Sequence, residues 1–195
     1  MAQTHSHRVI SLGLDQRPVP AGAHVCHIYD NDASHEDILA RFVQSGLEAG
    51  EWVSCFVDSM PPEALRDHLL QRGVNLPETS HCEFLEARDV YCPDGRFDFR
   101  RTMSMLEAEH ERHCQNCNGL RVTGEMSWAL QGIPGSEHLL EYETRVSALL
   151  ARLQITAICQ YDSRRFDGDT LYRLLQVHPM MIVRDQVILN PYYHP

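Results

Sequence analysis

Five short runs of apolar, β-forming residues recur along this chain, and each gap between them carries residues at helical spacing. The runs are His24–Tyr29 (HVCHIY), Trp52–Val57 (WVSCFV), Cys82–Leu85, Leu120–Met126 (LRVTGEM) and Ile155–Tyr161 (ITAICQY). Strands apolar at nearly every position are covered on both faces, as in parallel sheets with helices above and below. The gaps supply those helices. Ile38, Leu39, Phe42, Val43 and Leu47 line one face of the first, and Pro61-Pro62 opens a second that Gly73 stops. Phe97 to about His113 and a stretch capped by Ser136 give the next two. Tyr91-Cys-Pro-Asp-Gly-Arg reads as a turn-rich loop. After a short helix, Asp169–Val177, the segments Met180–Val183 and Gln186–Leu189 form a hairpin through Arg184-Asp185. The prediction is an α/β fold, with a mostly parallel sheet, helices on both faces and an antiparallel C-terminal end.

At 195 residues the chain suffices for one domain with a real core. Residues 1–23 read as a lead-in, with Arg17-Pro-Val-Pro-Ala-Gly an irregular connection, and residues 24–195 as a single domain. A net charge of −10 argues against direct nucleic-acid contact, which uses a basic face. No apolar run approaches the ~18 residues needed to span a bilayer, and the polar start MAQTHSHRVISLGLDQ is no secretory signal. Seven cysteines, several within strand-like runs, lack an even framework spacing. They read as reduced thiols in a cytoplasmic protein.

The segment from His24 to Val43 is the strand–loop–helix unit in which nucleotide-binding proteins place a phosphate loop. The expected loop, Asp30–Glu36, has neither glycine nor lysine, and Ser34 is the expected N-cap of a helix from Asp37. Three acids in that loop would repel polyphosphate.

In an open parallel sheet, ligands bind beyond the carboxyl ends of the strands. There the sequence places Tyr29 and Asp30, Glu125, Met126 and Trp128, and Tyr161 and Asp162. Aromatic walls with a few carboxylates suit a small organic ligand, with Tyr29, Trp128 and Tyr161 apolar and Asp30, Glu125 and Asp162 orienting it. The plainer alternative is that strand ends are polar because they meet solvent. Glu143 lies on an otherwise apolar helix face and needs a partner, for which Arg121 and Arg145 are the candidates. His110, His113, Cys114 and Cys117 contain four metal-ligand types, but one local cluster is weaker than two separated pairs, so no metal or other cofactor is expected. Cys159 reads as a buried strand cysteine, and His178 as a residue that bonds the last carbonyls of its helix.

Several stretches together resemble one family. They are His24-Val-Cys-His-Ile-Tyr29-Asp-Asn, Phe42-Val-x-x-Gly46-Leu-x-x-Gly50-Glu, Gly124-Glu125-Met126-x-Trp128, Tyr142-Glu143, Cys159-Gln160-Tyr161-Asp162, His178-Pro179 and Asn190-x-Tyr192-Tyr193. In order and spacing they resemble the MEDS domain, named for methanogen and methylotroph proteins and for the repressor of dichloromethane dehalogenase. The resemblance implies a RecA/KaiC-like fold without a working phosphate loop, and a sensory input module for small organic compounds in signalling and transcriptional proteins. It also implies a non-enzymatic role. Family members are often fused to a helix-turn-helix or a histidine kinase. Neither is recognisable in this sequence, so output is expected through a partner such as a histidine kinase or a transcriptional regulator. The alternatives are a residual nucleotide-binding ATPase-like protein, a thiol or zinc sensor built on His110–Cys117, and an adaptor with no small ligand.

Overall fold

In a computed structural model that describes residues 8–77 and 81–194, the five apolar runs become adjacent strands of one sheet. In chain order they are β3 (His24–Tyr29), β4 (Trp52–Val57), β5 (Cys82–Glu86), β6 (Leu120–Glu125) and β7 (Ile155–Asp162). The closing hairpin adds β8 (Met180–Val183) and β9 (Gln186–Leu189), and the sheet order is β5-β4-β6-β7-β3-β8-β9. Within this sheet, β8 and β9 form the antiparallel pair. Their turn takes positive φ at Arg184 (47°) and Asp185 (62°), as a two-residue hairpin turn requires. Every residue of β6 and β7 is buried, as expected of central strands covered on both faces.

Helices α1 (Asp32–Glu48) and α2 (Pro62–Gln71) cover one face, where Leu39, Val43, Leu65 and Leu69 pack on Val53, Cys55 and Val57. The other face carries α3 (Ala87–Tyr91), α4 (Phe99–His113), α5 (Leu139–Leu153) and α6 (Gly168–Val177). Side chains of a strand point alternately to the two faces. Cys26, Ala157, Cys159 and Tyr161 therefore meet α4–α6, whereas Val25 and Ile158 pack in the core on the α1 side.

Three local expectations change. The first concerns α1, which begins five residues before Asp37. Asn31, in an extended conformation, is the N-cap, and its side chain accepts from the Ser34 N–H at 2.8 Å. The loop after β3 shrinks to Asp30-Asn31, because burial of His35 draws the first turn inward and Asp32 suits a helix N-terminus. Secondly, the expected loop at Tyr91 is preceded by α3, which buries Ala87 and Tyr91. Thirdly, the described part of the lead-in is ordered: β1 (Val9–Ile10) pairs with β2 (Val19–Pro20), and Leu12 and Leu14 are buried. Residues 1–7 lie outside the described residues. Arg121 holds this segment down from the sheet. Its guanidinium pairs with Glu51 and donates to the carbonyls of Phe42 (3.0 Å) and Ser11 (3.1 Å). Gly46 lets α1 pass over it, since a Cβ there would meet Arg121 Cδ at 2.6 Å.

Candidate functional site

The parallel strands deliver β3, β4, β6 and β7 to the same end of the sheet. Side-chain alternation then divides the candidate residues between the two faces.

On the α1 face stand Tyr29, Glu125 and Asp162. Glu125 Oε2 accepts from the backbone N–H groups of Asp58 (2.7 Å) and Ser59 (2.6 Å), and Oε1 accepts from the Ser59 hydroxyl (2.9 Å). Arg164 donates to both Asp162 oxygens, at 2.8 and 2.9 Å, and to Asp32 at 2.5 Å. The Arg164 hydrogen bonds hold the Asp162 carboxyl below the usual range. Tyr29 stacks on His35 at 4.2 Å, and burial pushes its phenol up, with Glu125 and Asp162 adding to the effect. Asp30 is exposed. Glu125 and Asp162 are thus already engaged. Nearby, His27 Nδ1, His35 Nε2 and Gln160 Oε1 are buried, and His35 Nε2 lies 3.5 Å from Glu125 Oε1. Burial, and then the field of His35, lowers His27 to about 4.

On the opposite face Glu143 is fully buried, and neither arginine reaches it. Arg121 points to the α1 side and pairs with Glu51. Arg145, two residues along the helix, turns outward to Glu141 at 2.8 Å. The partners of Glu143 are Tyr161, whose hydroxyl donates to Oε1 at 2.8 Å, and two histidines. His24 Nε2 lies 3.1 Å and His178 Nε2 3.4 Å from Glu143 Oε2. Cys159 Sγ is 3.3 Å from the same nitrogen of His24. His24 Nδ1 meets Ser147 Oγ at 2.7 Å, and His178 Nδ1 donates to the Leu174 carbonyl at 2.6 Å. Burial alone would raise the Glu143 carboxyl, but the His178 and His24 imidazoles beside it outweigh burial and push it well below the usual range. Burial lowers His24 to about 4, helped by the charge of His178. The Cys159 thiol is pushed well up by burial.

Met126 and Trp128 are fully buried on this side. Trp128 stacks on Tyr91 at 5.0 Å and packs on Phe97 at 4.7 Å. It anchors the core, so it forms no wall of an open crevice with Tyr29 across the sheet. The open volume at these strand ends lies one turn further on, in the segments that follow β6 and β7. A groove of about 270 Å³ there is lined by Ala129, Leu130, Leu139, Leu140, Phe166 and Leu174, with Glu137, Thr170 and Arg173 as polar groups. Its floor touches the buried residues: Phe166 packs edge-on against Tyr161 at 5.5 Å, and Leu174 provides the carbonyl for His178.

Within the His110–Cys117 segment, His113 is engaged elsewhere. His113 stacks on Trp52 at 3.5 Å and bonds Glu109 at 3.1 Å, because the end of α4 folds its ring back onto the start of β4. Among the described residues, the group of metal-ligating atoms near enough to share an ion is His24, Glu143, Cys159 and His178. His24 and His27 were overlooked in the sequence. The available signal was two imidazoles within a six-residue buried strand, where each must find a polar partner.

Residues 23–179, which contain both clusters, match the profile described as MEDS, the MEthanogen/methylotroph, DcmR Sensory domain. The chain belongs to the MEDS family. Within it, the Transcriptional repressor DcmR of Methylorubrum extorquens is 26% identical over 170 residues, 80% of this chain. The MEDS chain spans 57% of that curated relative's length. The KaiC-like protein PH0186 of Pyrococcus horikoshii OT3 shares the fold, with a TM-score of 0.64 over 90% of this chain and 79% of that one at 13% identity. A KaiC-like MEDS fold with two residues between β3 and α1 has no loop long enough to wrap a phosphate. Among the described residues, no helix is long and apolar enough to cross a membrane.

Proposed function

We propose that this MEDS domain is a non-enzymatic, cytoplasmic input module that binds a small organic molecule and passes the signal to a protein partner. That partner is a transcriptional regulator or a histidine kinase. The observation that carries this reading is the groove over the carboxyl ends of β6 and β7. Its mixed lining, apolar residues interleaved with Ser136, Glu137, Thr170 and Arg173, suits a small, partly apolar ligand. Leu130 is 44% exposed at its rim. Met126, Trp128 and Tyr161 support it from below, and Glu143 is reached through the Tyr161 hydroxyl. The repressor relative supports a role in transcription control, and the net charge of −10 supports an output through protein rather than nucleic acid.

A thermal-shift screen of one-carbon, halogenated and aromatic compounds tests the reading. A ligand at a hundred times its Kd adds about 2.7 kcal/mol, which raises the melting temperature by roughly 5–10 °C for a chain of this size. Ala129→Phe, which fills the groove, abolishes the shift while the protein stays folded. If no compound shifts the transition, or if Ala129→Phe leaves the shift intact, the groove is not the sensory site. A second reading, a small polar ligand on the α1 face, is favoured by the cluster of buried polar side chains of His27, His35 and Gln160. A shift lost in His35→Phe and kept in Ala129→Phe selects it.

A further inference from the structure

Four chemically suitable atoms converge behind β3 and β7, and their hydrogen bonds point the lone pairs inward. A carbonyl oxygen only accepts, so His178 carries its proton on Nδ1 toward Leu174. In the neutral ring, Nε2 is therefore a lone pair, and it faces the Glu143 Oε2 carboxylate at 3.4 Å. Two acceptors at that distance need a proton or a metal cation between them. Both atoms are buried, and the polar contacts of Glu143 Oε2 are the Nε2 atoms of His24 and His178. His24 repeats the pattern. Its Nδ1 lies 2.7 Å from Ser147 Oγ, which has the carbonyls of Val177 (3.4 Å) and Glu143 (3.5 Å) to donate to. A proton on Nδ1 leaves the His24 Nε2 lone pair on the same centre.

We propose that His24 Nε2, His178 Nε2, Glu143 Oε2 and Cys159 Sγ form a buried tetrahedral site for a divalent zinc ion. The four atoms lie within 4.8 Å of one another, with separations of 3.1, 3.3 and 3.4 Å along three edges. Zinc with nitrogen and oxygen at 2.0–2.1 Å and sulfur at 2.3 Å needs edges of about 3.3–3.6 Å. Two nitrogens, one sulfur and one carboxylate oxygen suit zinc and are too soft a set for magnesium or calcium. The surroundings are those of a ligated centre. Each imidazole donates its other N–H, one to a carbonyl and one to a hydroxyl, and Tyr161 fixes the free oxygen of Glu143. Binding displaces the Cys159 thiol proton to solvent, leaving a thiolate on the metal. The ion ties β3, β7, α5 and the α6–β8 junction to one point, directly beneath the groove. The site does not depend on the groove's role.

All four ligands are buried, so loading accompanies folding. The full chain is unfolded with chelator, refolded with zinc or cobalt and freed of unbound metal. The result expected is about one zinc per chain by elemental analysis. Cobalt gives a thiolate charge-transfer band in the near ultraviolet and the intense visible bands of tetrahedral coordination. Cys159→Ser removes the charge-transfer band, His178→Gln lowers retained zinc at least tenfold, and the Cys114→Ser/Cys117→Ser double variant changes neither. The wild-type cobalt spectrum decides the matter even if the site variants misfold. Wild-type protein that refolds without retaining either metal overturns the proposal, and so does a cobalt spectrum that follows Cys114 and Cys117 instead of Cys159.

Discussion

Tyr29 and Tyr161 end neighbouring strands, yet the first stacks on α1 and the second bonds through its hydroxyl to α5. The sequence shows which residues sit at strand ends, but not the pleat phase of each strand relative to its neighbours. That phase decides which candidates share a face. Glu143 was legible as a buried carboxylate, because apolar neighbours flank it at helical spacing. Its partners were not, because His24, Tyr161 and His178 come from three separate elements. The buried histidines carry a pH prediction. Burial, reinforced by His35, lowers His27 to about 4 from an ordinary value near 6.5, so protons bind the unfolded chain first. Its contribution is complete above pH 6.5 and is lost as the pH falls toward 4. That gap corresponds to at most about 3 kcal/mol. Urea denaturation between pH 7 and pH 4.5 will show this loss, and His27→Asn will shallow the slope without flattening it, since His24 titrates in the same window. An unchanged slope in His27→Asn would show that this imidazole is not held neutral.

At the scale of elements, all five strands of the parallel set appear where runs of β-formers lie between turn residues, and the hairpin follows Arg184-Asp185. The first turn of α1 did not. Asp30–Glu36 is polar and lacks periodicity, so nothing local distinguishes a loop from a helix whose one inward residue, His35, meets an aromatic ring on β3. Tertiary contact overrode the local pattern there. Asn31 provides the capping oxygen, and Asn31→Ala will cost about 1 kcal/mol, a fall of roughly 2–4 °C in melting temperature. Asn31→Asp retains the acceptor and will stay near wild type. Equal losses in the two variants would mean that the cap contributes nothing.

For the molecule as a whole, the alternation of strands and helices indicated the three-layer class, and the MEDS profile and the KaiC-like neighbour agree with it. Strand order was not legible, because crossovers of this length reach either side of a sheet. The ordering of the described lead-in was also hidden, since its anchor is Arg121, more than a hundred residues away in sequence. Removing that buried guanidinium leaves the buried Glu51 carboxylate to the partly exposed Arg8, so Arg121→Met will cost about 3 kcal/mol in urea denaturation. Adding Glu51→Leu will restore most of it, and a double variant no better than the single would contradict this account. The ion pair at the start of α1 has a wider implication. Where a nucleotide-dependent relative of this architecture would draw an external anion to its helix terminus, this chain installs Asp32 and clamps it with Arg164. The positive end of α1 is thereby answered from within the chain.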